Sequence, residues 1–299
     1  MEEIIDLVIA IDAGGTEIKA GLVQGAEIID FARRPTEREM GPDHARDRIL
    51  AVARDLHELH PEARALGLVV PGVVDSLNGI AVYSENLLWR DIPFKQLLSE
   101  MTGLPIAFGH DVRAGGLAES VYGSGVGYLN SLFLTIGTGI SGAMILNGEM
   151  CQDVYSGELG HFDVSSGVLC ACGATGCLET VSTGPSIART FRERSGKEAK
   201  NSAEVLSMAK SGDHVAEVVW NEAMLALAKA LMAYINVLAP EIIILGGGLS
   251  QAGDDMVIPI EKYLDSKITF QRRPIIAIAE LGDRAGMIGA GVLAMQTKQ

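Results

Sequence analysis

The sequence predicts an α/β protein of two domains, in which a β-hairpin with a glycine-rich tip occurs twice. At 299 residues the chain is long enough for two domains. Apolar runs at 7–11 and 132–136 each lead through glycines into a second apolar run, which is typical of strand, turn and strand. Segments of helical periodicity lie between and after these hairpins, as at 42–60 and 215–238. The alternation of strands and helices predicts the α/β class.

The charge balance argues against several classes of protein. Lys and Arg number 24 against 38 Asp and Glu, a net charge of −14, and such an acidic surface repels nucleic acid. The acidic first residues do not fit a secretory signal, and no uncharged apolar run approaches the length needed to cross a bilayer. Four cysteines, three of them clustered, suit a reducing cytoplasm. We therefore expect a cytoplasmic protein with neither a nucleic-acid partner nor a membrane partner.

The first hairpin carries a candidate phosphate site. Its first apolar run ends in Asp12, and its tip contains Gly14, Gly15 and Thr16. Backbone N–H groups and a hydroxyl at such a tip can cradle phosphate oxygens, and Asp12 at its base could hold magnesium directly or through water. A plain β-hairpin turn is the alternative interpretation, since glycine is common in turns.

The second hairpin repeats the pattern at Gly137, Thr138 and Gly139. With Gly142 this stretch also matches the spacing of dinucleotide-binding glycines, but that motif requires a helix after the glycines. Only four apolar residues separate Gly142 from an Asn-Gly turn, which fits a hairpin arm. We therefore reject the dinucleotide-binding interpretation.

The two hairpins align when the first is shifted along the chain. A shift of 125 residues lays Gly14 on Gly139 and Thr16 on Ser141, with the apolar runs in register. The alignment indicates an internal duplication.

A cysteine-rich loop offers the ligands of a metal site. His161, Cys170, Cys172 and Cys177 supply one imidazole and three thiols, the ligand count of a closed tetrahedral zinc site. Two glycines between Cys172 and Cys177 allow the tight turn that such a site needs. Three reduced, buried thiols in a glycine-rich loop are the alternative.

Glutamates stand at both ends of this loop. Glu158 lies three residues before His161, and Glu179 follows the last cysteine by two residues. A histidine and two carboxylates form a polar clamp suited to a hydroxyl-rich ligand, because carboxylates accept hydrogen bonds from hydroxyls. Two solvated loop glutamates are the alternative.

Asp111 stands between a short predicted strand, 105–108, and a helix at 112–121. In open α/β sheets this position faces the ligand crevice, although aspartate also serves commonly as a helix N-cap. Gly72, after the strand at 65–70, and Asn86 are either ligand-side residues or turn formers.

Three glycines follow a predicted buried strand near the carboxyl end of the chain. The strand spans 241–245 and leads into Gly246, Gly247 and Gly248, where the missing side chains permit close approach of a flat ligand such as adenine. A strand at 274–279 and a small-residue helix at 285–295 complete the chain.

The cysteine-rich loop resembles the zinc-and-sugar motif of the ROK family of repressors, open reading frames and kinases. The match comprises Glu158-Leu-Gly-His161 followed by Cys-x-Cys-Gly-x-x-Gly-Cys-x-Glu, and Asn86 begins a segment similar to the family's NLxW…PF. The resemblance implies the actin-like, hexokinase-type ATPase fold, with two α/β domains around a cleft. It implies a first domain at 1–120 completed by a helix at about 285–299, and a second domain at 121–284 with the zinc loop at 158–179.

The resemblance also implies a role for each candidate residue. It implies an ATP-dependent hexose kinase with a glucokinase-like activity, in which Asp111 is the base and magnesium accompanies the nucleotide. The implied structural zinc ligands are His161, Cys170, Cys172 and Cys177. The implied sugar-side residues are Gly72, Asn86, His110, Asp111, Glu158, His161 and Glu179. The implied nucleotide-side residues are Asp12, Gly14, Gly15, Thr16, Gly137, Thr138, Gly139, Gly246, Gly247 and Gly248.

One departure from the family pattern concerns the sugar. Family kinases usually carry Asn before the base, whereas this chain has His110, whose ring is larger and titrates near neutrality. A kinase for N-acetylmannosamine, mannose, fructose or allose is therefore the alternative to a glucokinase. ATP is the expected donor, because no run of basic residues suits polyphosphate. The family usually forms homodimers or homotetramers.

Two further classes share parts of this pattern. Family repressors carry an N-terminal helix-turn-helix, for which a first core strand beginning by Leu7 leaves no room. A non-catalytic sugar-binding protein would lack the base or the phosphate turns, and this chain has both. We therefore expect an enzyme.

Overall fold

The computed structural model describes residues 7–297, which form two compact α/β units. Residues 1–6 and 298–299, the two ends of the predicted first domain, lie outside the described residues. The first unit contains residues 7–123, 150–156 and 283–297, and the second contains residues 124–149 and 157–282. The short segment 150–156, which the sequence analysis grouped with the second domain, thus packs with the first unit.

The strands fall into three sheets. Those of the first unit are β1 (Val8–Ala13), β2 (Glu17–Gln24), β3 (Glu27–Pro35), β4 (Leu66–Val70), β5 (Val73–Asp75), β6 (Ile80–Ser84), β7 (Trp89–Ile92) and β8 (Ile106–His110). The remaining strands are β9 (Ser131–Ile136), β10 (Ile140–Leu146), β11 (Glu149–Met150), β12 (Ile242–Gly246) and β13 (Ile275–Ile278). The sequence analysis did not predict β3 or the small antiparallel sheet of β5, β6 and β7.

The helices cover the predicted periodic segments and add several short ones. In chain order they are α1 (Pro42–Leu59), α2 (Phe94–Thr102), α3 (Asp111–Tyr122), α4 (Glu179–Ser182), α5 (Gly184–Ser195), α6 (Ser202–Lys210), α7 (His214–Leu238), α8 (Asp254–Lys267) and α9 (Ala285–Met295). The predicted α/β class is confirmed.

The main sheets of the two units share one topology. Their strand orders are β3-β2-β1-β4-β8 and β11-β10-β9-β12-β13. In each sheet an antiparallel hairpin, β1–β2 or β9–β10, lies beside a strand parallel to its first arm. This repetition agrees with an internal duplication.

The predicted shift of 125 residues between the two hairpins is wrong at their tips. The strands end at Ala13 and Ile136, so the three-residue tips are 14–16 and 137–139, an offset of 123 and not 125 residues. Ser141, predicted to match Thr16, lies inside β10 opposite Thr135. Both first arms have six residues, but β1 continues two residues beyond the predicted run 7–11, through Asp12 to Ala13, whereas β9 ends at the predicted Ile136.

Helix α7 forms the centre of the second unit's core. By length and composition it could cross a membrane, but 61% of its most apolar window is buried within the structure. Its buried residues, among them Trp220, Met224 and Leu231, pack with apolar side chains of β9, β12 and α8. A core helix of this kind is hydrophobic on nearly all sides because other elements surround it.

In the first unit, glycines let α9 lie directly on its neighbours. A Cβ placed on Gly289 would be 2.0 Å from the carbonyl oxygen of Ala114 in α3. A Cβ on Gly67 in β4 would be 2.0 Å from the carbonyl oxygen of Ala290. Both neighbours are backbone atoms, so the glycines permit a backbone approach that any side chain would block.

We therefore expect Gly289→Ala to lower the free energy of unfolding by about 1–3 kcal/mol, because the added methyl overpacks a contact between two helices. Urea unfolding followed by circular dichroism measures the change. Gly248→Ala is the matched control, since a Cβ on Gly248 meets no atom within 4 Å. Equal stability of the Gly289→Ala protein and the wild type would contradict the close-packing account.

Candidate functional site

The base of the first glycine turn is acidic. Asp12 is the penultimate residue of β1, and a Cβ on Gly286 would lie 2.5 Å from its Oδ2 atom. The carboxylate therefore rests against the first turn of α9. The tip itself is closed by a hydrogen bond from Gly14 N to Glu17 O, at 2.9 Å.

Asp12 is an unusual carboxyl group. Burial first, and then the negative charge of Asp111, raise the pKa of Asp12 from 3.8 to about 7. Lys19 opposes this shift, but its ammonium donates to the carbonyl oxygen of Asp283 at 2.6 Å. A buried carboxyl group with a raised pKa beside a second carboxylate is typical of a site that can bind a divalent cation, whose charge would offset the repulsion.

His110, and not Asp111, is the N-cap of α3. Its Nδ1 atom accepts hydrogen bonds from the backbone N–H groups of Val112 and Arg113, at 3.1 and 3.4 Å. The ring proton of neutral His110 must then reside on Nε2. Asp111 is the first residue of the helix, and its Oδ1 atom also accepts from Val112 N, at 2.7 Å.

The two other sugar-side candidates of this unit have different surroundings. Asn86 is exposed, and its Cβ would lie 3.3 Å from a Cβ placed on Gly15, so it flanks the first glycine turn. Gly72 has a φ of +107°, and a Cβ there would lie 2.2 Å from the carbonyl oxygen of Tyr83. The turn explains Gly72 by itself, and a sugar contact of its backbone stays a prediction.

In the second unit the glycine turn and the late glycines line one cavity. Gly137, Thr138 and Gly248 face a space of about 470 Å³. The same space is lined by Arg192 and Lys200, which the sequence analysis missed. Other lining residues come from the starts of α5 and α6: Gly184, Pro185, Ala188, Asn201, Ser202 and Ala203. The signal available in the sequence was Asn201 followed by Glu204, a capping pattern that marks the start of α6 but no cavity.

Gly246 and Gly247 do not line this cavity, and close packing explains both glycines. A Cβ on Gly246 would lie 2.9 Å from the Phe133 ring, and one on Gly247 would lie 2.5 Å from the carbonyl oxygen of Ile136. Gly248 alone of the three is open to the cavity, so the structure brings together Gly137, Thr138 and Gly248 of the predicted nucleotide-side set.

The cysteine-rich loop gathers four ligand atoms. Those of His161, Cys170, Cys172 and Cys177 lie within 4.8 Å of one another. The Cys172 and Cys177 sulfurs are 3.7 Å apart, and Cys170 Sγ is 3.8 Å from His161 Nδ1. Ligands at zinc–sulfur bond length on a tetrahedron stand about 3.8 Å apart, so this donor set fits zinc.

The backbone of the loop explains how the ligands meet. Gly173 and Gly176 have φ values of +91° and +94°, which confirms the predicted role of glycine in this turn. Burial raises the pKa of the Cys177 thiol to about 12, with a further contribution from Cys172. A bound cation would reverse that preference, because metal ligation requires thiolates.

The loop's two glutamates differ in their contacts. Glu158 is exposed, and its Oε2 atom is 3.8 Å from His161 Nε2, on the side of the ring away from Cys170. Glu179 Oε1 accepts a hydrogen bond from Ile140 N at 2.6 Å. Part of the Glu179 carboxylate is thus used to hold the second hairpin.

The predicted site residues divide between the two units. The first unit holds the candidates Asp12, Gly14, Gly15, Thr16, Gly72, Asn86, His110 and Asp111. The second unit holds the candidates Gly137, Thr138, Gly139, Glu158, His161, Cys170, Cys172, Cys177, Glu179, Gly246, Gly247 and Gly248.

Sequence reasoning missed Arg113, which is 3% exposed and donates to the carbonyl oxygens of Asp153 and Val74, at 2.6 and 3.2 Å. Arg113 thereby fixes segment 150–156 to the first unit.

Comparison with known proteins gives consistent matches along the chain. The model of the ROK family matches residues 8–297. The chain is 33% identical to the glucokinase of Halalkalibacterium halodurans, over 96% of this chain and 94% of that protein. It is also 33% identical to the glucokinase of Thermotoga maritima, over 94% and 95% respectively. Kinases of other sugars also occur among the relatives.

The fold is likewise that of a solved relative. The ROK family glucokinase from Streptomyces griseus, solved in complex with glucose and AMPPNP, has a TM-score of 0.81 and 28% identity. The likeness covers 97% of this chain and 100% of that one. The fold class that the resemblance implied is confirmed.

The raised pKa of Asp12 predicts how stability depends on pH. Because the folded protein holds this proton more tightly than the unfolded chain, the contribution is stabilising at about pH 4 and is lost as pH rises towards 7. Asp12→Asn removes the free-energy cost of holding an ionised carboxylate in this buried position. We expect the variant to gain at least about 1 kcal/mol over the wild type between pH 4.5 and pH 8, measured by urea unfolding without added metal.

Asp55→Asn is the control, since Asp55 is exposed on α1. A stability difference between Asp12→Asn and wild type that stayed constant with pH would show that Asp12 ionises normally.

Proposed function

The chain belongs to the ROK family, and from that premise we propose that it is an ATP-dependent hexose kinase with glucose as its preferred acceptor. The observation that carries the proposal is the nearly full-length similarity to glucokinases, combined with the presence of every residue type that the reaction needs. The γ-phosphoryl group of ATP passes to the 6-hydroxyl of the sugar, and the products are glucose 6-phosphate and ADP.

Asp111 is the proposed base. It accepts the proton of the 6-hydroxyl as that oxygen attacks the γ-phosphorus. Phosphoryl transfer depends mainly on alignment and charge neutralisation, so an ordinary carboxylate suffices for this step. The capping of α3 by His110 supports the assignment, because it fixes the backbone that carries Asp111.

The glycine turns are the proposed phosphate sites. Backbone N–H groups of 14–16 and 137–139 bind phosphate oxygens, and Gly246, Gly247 and Gly248 accommodate the nucleoside. Magnesium, when bound, neutralises phosphate charge, and Asp12 is the residue that would hold it. The cavity lined by Thr138, Gly248 and Lys200 supports the nucleotide assignment for the second unit.

The sugar is held by polar side chains and the backbone. Glu158, His161 and Glu179 bind hydroxyls in the second unit, and Asn86 and the Gly72 backbone do so in the first. Each carboxylate can accept from more than one hydroxyl, as hexose recognition requires.

Zinc is the proposed occupant of the cysteine-rich loop, held by His161, Cys170, Cys172 and Cys177. Its role is structural, because four protein ligands leave no open position for chemistry. The zinc ties the loop that carries the sugar-binding side chains.

A kinase for another hexose is the second candidate, and His110 favours it. Its Nδ1 atom accepts hydrogen bonds from backbone N–H groups, so the neutral ring carries its proton on Nε2, which is then a donor and not an acceptor. The asparagine usual in the family offers a donor and an acceptor. Mannose, fructose, allose and N-acetylmannosamine are therefore the acceptors to compare with glucose.

Two further properties complete the proposal. Four free thiols, three of them in the metal loop, support a reducing cytoplasmic location. Assembly into a homodimer or homotetramer, implied by the family resemblance, stays a prediction.

The decisive assay measures formation of the sugar phosphate from each of the five sugars, with ATP as donor, where ADP release follows turnover, and separately with polyphosphate as donor. We expect turnover with ATP and glucose, and a loss of kcat of at least about 100-fold in Asp111→Ala with sugar binding retained. Asp55→Ala is the exposed control. Unchanged kcat in Asp111→Ala would exclude the base assignment, and absence of turnover with every sugar would exclude the kinase.

A further inference from the structure

An arginine lies against the first glycine turn and has no acidic partner. A Cβ placed on Gly15 would be 3.6 Å from Arg38 Nη1. The same nitrogen donates to the carbonyl oxygen of Asn86 at 3.4 Å, a long and therefore weak hydrogen bond. Within residues 7–297, Arg38 forms no salt bridge. Its charge is available to an anion at the turn.

The chain segment that carries Arg38 is fixed to the turn itself. Thr36 N donates to the carbonyl oxygen of Thr16 at 3.0 Å, and Thr36 Oγ1 donates to the carbonyl oxygen of Gly14 at 2.8 Å. Thr36 is fully buried. These two hydrogen bonds hold the backbone two residues before Arg38 in register with the glycine tip.

Glu37, between Thr36 and Arg38, adopts a left-handed conformation with φ 53° and ψ 41°. For a residue with a side chain this costs of order 1–3 kcal/mol and persists only where neighbours enforce it. The neighbours are His44, whose Nε2 lies 2.7 Å from the Glu37 carboxylate, and Arg48, whose Nε lies 3.4 Å from it.

This arrangement has a consequence for charge. The Glu37 carboxylate is engaged by His44 and Arg48, so it is turned away from the arginine that follows it. The short 3₁₀ turn Arg38–Met40 then ends at Gly41, before α1 begins. The segment therefore presents one guanidinium at the glycine tip and keeps the Glu37 carboxylate on other partners.

The neighbours of Arg38 define what anion it would meet. Gly15 belongs to the proposed phosphate turn, and Asn86 is a proposed sugar-side residue. A guanidinium that reaches both stands where a phosphoryl group would leave the nucleotide and join the sugar.

We propose that Arg38 is a catalytic residue of the kinase reaction and binds the oxygens of the phosphoryl group in transfer. The inference rests on the proposed function. In the step, the bond from the γ-phosphorus to the β–γ bridging oxygen breaks, and a bond from the γ-phosphorus to the sugar 6-oxygen forms. The hydroxyl proton passes to Asp111 and ADP leaves with the bridging electron pair. Arg38 stays protonated and stabilises the charge on the equatorial oxygens.

The test compares Arg38→Ala and Arg38→Lys with the wild type in the ADP-release assay. We expect Arg38→Ala to lose about 100-fold or more in kcat, with the KM for sugar within a few-fold of wild type, because the contact forms only as the phosphoryl group moves. Arg38→Lys keeps the charge but not the planar fork, so we expect an intermediate kcat. Added guanidinium ion should restore part of the activity of Arg38→Ala, which a merely structural role would not allow.

Arg34→Ala is the matched control, since Arg34 is exposed four residues earlier and, among residues 7–297, its side chain donates only to the neighbouring carbonyl oxygen of Arg33. Thermal unfolding verifies that each variant is folded. If Arg38→Ala does not fold, Arg38→Lys alone is compared with the wild type. A kcat for Arg38→Ala within threefold of wild type, or a loss that guanidinium does not rescue, overturns the inference alone. Wild-type protein without turnover on any hexose removes the proposed function and the inference together.

Discussion

In the second unit, the Glu179 carboxylate joins the cysteine-rich loop to the glycine turn. Glu179 Oε1 accepts a hydrogen bond from Ile140 N at 2.6 Å. The approach is close enough that a Cβ on Gly139 would lie 2.8 Å from that oxygen, and a Cβ on Gly160 would lie 2.6 Å from the Glu179 side chain. Only Leu178 separates Glu179 from Cys177, one of the candidate metal ligands. The Glu179 carboxylate thus connects the position of the turn to that of the cysteine-rich loop.

The first unit supports its turn differently, with hydrogen bonds from a threonine. There, the backbone N–H and the side-chain hydroxyl of Thr36 donate to the tip, and no carboxylate of the described chain is used for that purpose. Asp12 and Asp111 remain as neighbouring acids, and burial together with their mutual repulsion raises the pKa of Asp12 to about 7. The duplicated hairpins thus share a topology, but different groups hold their tips.

Local patterns predicted the framework of the chain, and contacts between distant segments decided the rest. Helix α9 was predicted at its observed bounds because its residues are continuously apolar or small. The predicted hairpin register was wrong by two residues, because β1 continues through Asp12, a polar residue at which the apolar run, and with it the predicted strand, ends. Arg38 and Arg113 escaped prediction because an arginine in a sequence gives no sign of which distant carbonyl or turn it will reach.

The central claim is that the metal-tied loop holds the glycine turn through Glu179. Amide hydrogen exchange at Ile140, compared between zinc-loaded and chelator-treated protein, tests it most directly. The account predicts faster exchange at Ile140 after chelation, because the loop that presents the acceptor carboxylate loosens. Faster exchange within the loop at Cys170 and Gly176, with Ile140 unchanged, would contradict it.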